Sequence, residues 1–590
     1  MGCAAFTGVL FGVAWTLWHP LPGSPHVPDG GLAHQLMEYP TLLKWQLTPG
    51  APIDRWADEN QSVDITPWAF HIRLLPAWLA ATVAGTWAMV VGLKPHSSTG
   101  HVSGPRVLEG KEAVQAAQRL SKQALDGRPG WIKLHPALDL PKRHWASHTL
   151  IYGGVGAGKT QVISYILSQV LPRKMKAFIL DTKGDYTAKF GSACILSPWH
   201  RSSRYWDIAA DIDTAPKADG FAAAIIPRVE GANEYFTIGP QMILAGCIRA
   251  LIAGKPRSWT WLDLHTLISL PGATLREVLA EHHPKAVSIL SGAEQTVSQL
   301  MSSLAAHTAT ISQLAEAWGD GTRSNGKPRK RLSLSEWARD GYEGRPAIVA
   351  QAGPDPALTQ RYLAAAINVI ATEVISPAFT DDVSEDGRAI WLVIDELSAV
   401  GKLDRLDELL KLGRSKGICA VLGLQDQAQV AEIYGPNISK ALSSMVGTHL
   451  TCRLAQGETR DYVASVIGSR RVSITTPGKD GQPASVHEEM RQIIQPTELT
   501  TRLGFRKGRK FGPEKFGIRA LLNTGHDDLL LLDWPGIKLP DQRPAFIPAK
   551  WTLAPRVSVP AAPAASGGDD AAEPAQHVLL ADVIQLERQL

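Results

Sequence analysis

Short apolar runs rich in β-formers alternate along this chain with longer stretches of helical spacing. The runs are Leu150-Ile151-Tyr152, Lys176 to Leu180, Ala347 to Ala350, Ala389 to Ile394 and Cys419 to Leu424. Between and around them, Gln161 to Leu171, Leu358 to Ile375 and Asp404 to Leu412 repeat their apolar residues with helical periodicity. Strands alternating with helices predict an α/β fold, a parallel sheet with helices on both faces, whose ligands bind at the carboxyl ends of the strands. From about Asp207 to Gly326 the strand pattern stops. Phe221 to Ile226, Gln241 to Ala253, Thr274 to Glu281 and Thr296 to Trp318 all carry helical spacing. The expectation is an all-helical insertion, 207–326, that divides the α/β domain into a first part, 96–206, and a second, 327–553.

Two apolar runs lie ahead of that domain, at about 3–18 and 74–93. The second has the length that crosses a hydrocarbon core, and the first is short enough that it must tilt little or draw on its flanks. The first run has neither the basic start nor the small-residue cleavage site of a signal peptide. A transmembrane anchor of two helices is therefore expected over 1–95, with a small loop between the spans. Basic residues follow the second run (Lys94, Arg106, Lys111, Arg119, Lys122), whereas the loop between the runs is richer in acids. By the positive-inside rule the bulk of the chain is cytoplasmic. Seven of the 18 tryptophans fall in the first 95 residues, as interfacial belts or a packed loop would require. At the other end, 554–590 begins with a Pro-, Ala- and Gly-rich linker and closes with an amphipathic segment, Val578 to Leu590. Such a tail suits docking of an accessory protein, and equally a frayed terminus.

Composition changes this picture little. A chain of 590 residues is too long for one core, and its 44% hydrophobic and 20% charged residues exclude a disordered or fibrous protein. A net charge of +4 does not by itself argue for nucleic acid. Local clusters matter more: the loop Arg323 to Arg331, and Arg506, Lys507, Arg509 and Lys510, can track a phosphate backbone or simply face water. The five cysteines show no metal-ligand or disulfide spacing.

The chemistry concentrates in Gly153-Gly154-Val155-Gly156-Ala157-Gly158-Lys159-Thr160, placed between a predicted strand and a predicted helix. The glycines allow successive backbone N–H groups to face one concavity, Lys159 reaches the β- and γ-phosphates, and the Thr160 hydroxyl can hold Mg2+. ATP with Mg2+ is the expected cofactor pair. Hydrolysis also needs acids at the end of another buried strand. Asp395-Glu396 supplies them, Asp395 for the metal shell and Glu396 to polarise the attacking water. Lys176 to Leu180 ends in the polar turn Asp181-Thr182-Lys183-Gly184-Asp185, and Cys419 to Leu424 leads to Gln425, a candidate γ-phosphate sensor.

Taken in order, the spans, the P-loop, the Asp-x-Lys-Gly-Asp turn, Ser197-Pro198-Trp199, Tyr205-Trp206-Asp207, the helical insertion, Asp395-Glu396-Leu397, Gly413-Arg414-Ser415-Lys416-Gly417, Gly423-Leu424-Gln425 and Tyr434-Gly435 resemble the type IV coupling proteins of conjugation and secretion systems. The resemblance covers roughly 1–550. It implies a RecA-like P-loop NTPase fold, a homo-hexameric ring in the bacterial inner membrane, and a multi-pass anchor. Relaxase-bound single-stranded DNA and the components of a type IV secretion channel are the implied partners. It also implies that an arginine at the position of Arg414 acts on ATP held by the neighbouring subunit; by its own sequence context Arg414 could equally pair with a carboxylate. A coupling ATPase for protein effectors would share every catalytic residue. A double-stranded DNA pump is disfavoured by the lack of a helix-turn-helix pattern after Trp551, and a non-catalytic platform by the intact Lys159, Asp395 and Glu396.

Overall fold

The computed structural model describes residues 78–89, 99–229, 231, 234–323, 326–476, 485–525 and 528–553. The expected first span, the whole loop between the spans and the tail 554–590 lie outside the described residues; of the second span, 78–89 is described and is helical. The chain divides into two compact units, 1–101 with 472–489, and 102–471 with 490–590. In the smaller unit the helix 78–89 leaves Trp78, Leu79, Val83, Trp87 and Met89 exposed. Thr99–Ser103, Ser469–Thr476 and Ser485–Gln492 form a three-stranded sheet, with Ser469–Thr476 in the middle.

The larger unit is built on an 11-stranded sheet. Its strands are Val107–Glu109 (β1), Thr149–Tyr152 (β2), Lys176–Asp181 (β3), Cys194–Leu196 (β4), Ala347–Gln351 (β5), Ile390–Ile394 (β6), Ile418–Leu424 (β7), Thr448–Thr451 (β8), Gly504–Lys507 (β9), Phe516–Asn523 (β10) and Leu529–Pro535 (β11). The order across the sheet is β1-β11-β10-β8-β2-β7-β6-β3-β5-β4, with β9 also paired to β10. From β8 to β4 every pairing is parallel, as the alternating pattern requires. Beyond β8 the sheet departs from the expected all-parallel form. β10 is antiparallel to β8, β9 and β11; between β10 and β11 the connection 524–528 is short enough only for a hairpin, since a parallel crossover needs a dozen residues or more.

The central strands β6 and β7 are apolar and buried at every position because both faces of the sheet are covered. Ile151, Ile179, Val393 and Val421 point into one core, against Gly110–Leu125 (α1) and Lys159–Val170 (α2). Leu150, Tyr152, Phe178 and Leu180 point into the other. That second core continues into helices Ala215–Ile225 (α3), Tyr235–Gly254 (α4), Trp261–Ile268 (α5), Gly272–His282 (α6), Pro284–Leu290 (α7) and Glu294–Trp318 (α8), and under Pro356–Ile375 (α9). Among the described residues α4 alone is long and apolar enough to cross a membrane, and half of its apolar window is buried. Its hydropathy reflects packing against α3, α6 and α8.

A polar and aromatic neck joins the helices α3–α8 to the sheet. Tyr205–Trp206 pairs in parallel with Arg331–Leu332. Trp206, Trp261 and Trp318 pack with ring centroids 5.5–6.0 Å apart. Beside them the buried Asp211 carboxylate accepts from Trp206 Nε1 at 2.7 Å, the Ser333 hydroxyl at 2.6 Å, Leu334 N at 3.0 Å, and Ser335 N and hydroxyl at 2.9 and 2.8 Å. Burial pushes this carboxyl upward and the five donors oppose that push.

Candidate nucleotide-binding site

β2 stops at Tyr152, and the glycine turn carries the chain into α2 at Lys159. Two N–H groups pin the turn to the sheet: Gly153 N donates to Leu424 O at 3.0 Å and Gly154 N to Arg453 O at 2.9 Å. The loop is thereby held between the ends of β7 and β8. Gly158 sits at φ +105°, and a Cβ there would lie 2.6 Å from Ile518 Cδ1. Glycine is required at this position both by backbone conformation and by close approach. Gly156 also has positive φ, and Val155 is exposed at the tip.

The acids come from β6, which is separated from β2 by β7. One strand contributes the phosphate loop, the next Gln425, and the third Asp395 and Glu396, all at carboxyl ends. Thr160 Oγ1 donates to Asp395 Oδ2 at 2.9 Å. Lys159 Nζ donates to Gly153 O at 2.7 Å and lies 3.8 Å from Glu396 Oε2. The Ser398 hydroxyl donates to Glu396 Oε1 at 2.8 Å, and the Gln425 side chain also favours the charged Glu396. Burial lowers the affinity of Lys159 for its proton and raises that of Glu396, while their mutual attraction opposes both shifts. Asp395 Oδ1 and Glu396 Oε2 are buried acceptors without a hydrogen-bond partner among the described residues.

Of the residues singled out from the sequence, the fold thus gathers 153–160, Asp395, Glu396 and Gln425. It does not bring Arg414 to them. Arg414 is exposed and precedes the first residue of β7, whereas Gln425 follows the last. A seven-residue strand puts roughly 20 Å between the two ends. In the basic loop, Arg329 donates to Ala317 O at 2.7 Å, and Arg331 lies 3.3 Å from Asp207 and over the Tyr205 ring. Both arginines help to hold the neck.

One neighbour of the site carries no distinctive sequence signal. Tyr186 is buried, and its hydroxyl faces Asp395; burial, Asp395 and Asp181 together push the phenol well above its ordinary range. A single tyrosine after a polar turn reads as ordinary core. Asp181 itself is structural: its carboxylate accepts from Gly184 N at 2.8 Å and from Thr187 N and hydroxyl at 2.6 and 2.7 Å, which shapes the Asp-x-Lys-Gly-Asp turn.

Comparison with known proteins follows the same lines. The model of the type IV secretion-system coupling protein DNA-binding domain matches residues 133–501. Coupling protein TraD of Escherichia coli (strain K12) is 23% identical over 326 residues, which is 54% of this chain and 43% of TraD, so the match spans less than half of that relative. The unbound bacterial conjugative coupling protein TrwBdeltaN70 superposes with a TM-score of 0.61 at 18% identity, over 76% of this chain and 96% of its own. Plasmid coupling protein TrwB in complex with ADP and Mg2+ gives a TM-score of 0.59 at 18% identity, over 76% and 98%. The shared fold is that of the RecA-like P-loop ATPases, with its mostly parallel sheet and flanking helices. With more than half of its length matched by the family model, the chain belongs to the type IV secretion-system coupling proteins.

Proposed function

We propose that this chain is a membrane-anchored ATPase that recruits relaxase-bound single-stranded DNA and delivers it to a type IV secretion channel. The observation that carries the reading is the constellation of Lys159, Thr160, Asp395, Glu396 and Gln425 at one edge of the sheet. The residues fit Mg2+ and ATP. Asp395 Oδ1 and Glu396 Oε2 are oxygen acceptors with no hydrogen-bond donor among the described residues, and the first turn of α2 carries N–H groups that have no partner within the helix. Thr160 and Asp395 would hold the metal, and 153–160 the phosphates.

When bound, the metal and nucleotide supply a polarised γ-phosphoryl group open to attack by water. The side chains then have separate tasks. Lys159 neutralises charge on the phosphate oxygens, and leaves Glu396 to do so. Glu396 holds the attacking water by a hydrogen bond and takes its proton; burial already raises its proton affinity. Gln425 keeps the Glu396 carboxyl in place. Arg414, remote from its own Lys159, serves the site of the next subunit in a homo-hexamer.

Domain roles follow from the same reading. Segments 3–18 and 74–93 anchor the chain in the bacterial inner membrane with its bulk in the cytoplasm, and the exposed apolar side chains on helix 78–89 support this. The helical insertion 207–326 meets DNA, and 554–590 docks an accessory protein. The test is ATP hydrolysis by the detergent-solubilised chain with single-stranded and duplex DNA, alongside Lys159→Ala and Glu396→Gln. Hydrolysis that single strands stimulate and both variants lose is expected. Hydrolysis indifferent to DNA would turn the reading towards protein cargo.

A further inference from the structure

The P-loop accounts for the phosphates of a nucleotide and leaves its base without a partner. Beyond the loop, on the side away from the acidic pair, the sheet has an unusual edge. β11 lines one side of β10 from Gly517 to Leu522. On the other side β10 pairs first with β8, through Leu521 to Asn523, and then with β9, through Phe516 to Arg519. β9 therefore continues the line of β8 past its carboxyl end, alongside the P-loop. Gly504 of β9 lies against the Arg453 side chain, 3.0 Å from Cβ to Cβ if a methyl group is added at Gly504, and Arg453 O is the acceptor for Gly154 N of the loop.

Register then fixes what this strand presents. Phe505 is directly opposite Ile518, so the two side chains share a face with Cβ atoms about 5 Å apart. Ile518 is fully buried under Gly158, the last glycine of the loop. Phe516, two residues along β10, is on the same face, and its ring centroid is 6.1 Å from that of Phe505. Phe516 is backed by Gly536, and the next residue's N–H, Ile537 N, donates to Gln161 Oε1 in the first turn of α2 at 3.0 Å. A continuous wall thus runs from the phosphate end of α2 to the aromatic pair. Phe505 is nonetheless 51% exposed among the described residues, so much of its ring surface is open to a ligand.

We infer that Phe505, backed by Phe516, is the stacking platform for the nucleobase of the nucleotide held by the P-loop. The inference rests on the ATP-binding reading above and adds the base subsite to it. Stacking uses the π face that every base has, so adenine and guanine nucleotides are served alike. No polar side chain needs to read the base edge.

The test compares ADP with inorganic tripolyphosphate, which has phosphates and no base, as ligands of the detergent-solubilised full chain with Mg2+ in calorimetric titrations. Phe505→Ala should raise the Kd for ADP and for GDP about tenfold, within the range seen when a base loses its aromatic partner. It should leave tripolyphosphate affinity unchanged, which also shows that the loop is intact. Phe505→Trp should restore ADP binding, and Lys159→Ala should weaken both ligands. Unchanged ADP affinity in Phe505→Ala, or equal loss of ADP and tripolyphosphate, would overturn the stacking role while leaving the P-loop reading in place. Failure of the unmodified chain to bind ADP would overturn the nucleotide reading itself.

Discussion

His148 roots the P-loop strand, and its titration gives a measurable signature. The residue precedes β2 with a left-handed backbone, φ +65°, and is 1% exposed. Its Nε2 lies 2.8 Å from Leu410 O, at the end of the helix Leu406–Leu412 (α10), and its Nδ1 accepts from Ala420 N of β7 at 3.2 Å. The ring is therefore neutral with its proton on Nε2, and it ties the start of β2 to the two elements that flank Arg414. Burial pushes its pKa from 6.5 down to about 4; the Leu410 carbonyl opposes this and the nearby Arg414 charge adds to it. The unfolded chain accordingly binds the proton more readily than the folded one. Stability from this residue is complete above pH 6.5 and is lost as the pH falls towards 4. At about 1.4 kcal/mol per pH unit the full loss is about 3 kcal/mol, of which about 2 kcal/mol is gone by pH 5.

The variant His148→Asn removes the titration and keeps a side chain that tolerates the left-handed backbone. Urea unfolding followed by tryptophan fluorescence at pH 7.5 and pH 5 compares the two proteins. The variant should be the less stable at pH 7.5, yet its loss on going to pH 5 should be smaller than that of the unmodified chain by about 2 kcal/mol. Other histidines cancel in this difference. Equal losses in both proteins would refute the placement of a neutral, buried His148 and with it the described tie between β2, α10 and β7.

Two further perturbations have defined outcomes. Arg414→Ala should leave ATP binding unchanged and reduce hydrolysis about a thousandfold or more, and mixing it with Lys159→Ala subunits should recover part of the activity; an active Arg414→Ala protein would remove the trans role. Asp211→Ala strands five donors in the neck and should cost about 3 kcal/mol or more in urea unfolding, whereas a loss under about 1 kcal/mol would show that the neck does not depend on this carboxylate.

The parts of the fold legible in the sequence are those with one dominant local signal. Ile390 to Ile394 reads as a strand because it is buried on both faces, and its flanking acids mark the end of it. The stretch Gln241 to Ala253 reads as helix by spacing, and the structure extends it to Tyr235–Gly254. Gln425 was reachable because a polar residue after an apolar run marks a strand end; its place between the phosphate loop and the acids depends on strand order, which no local pattern encodes. The same holds for the antiparallel end of the sheet and for the position of Arg414 across a strand's length from its own site. His148, Asp211 and Tyr186 were silent because their roles come from partners up to 272 residues away in the chain. Phe505 gave no signal either, since only the register with Ile518 puts it beside Gly158.

The most direct test of the central claim is steady-state ATP hydrolysis by the full chain with and without single-stranded DNA, measured together with Lys159→Ala and Glu396→Gln and with ATP affinity in each. A DNA-stimulated rate that both variants abolish, with affinity kept in Glu396→Gln and weakened in Lys159→Ala, is the predicted result. Hydrolysis that survives Glu396→Gln would contradict the assignment of the chemical step to this site.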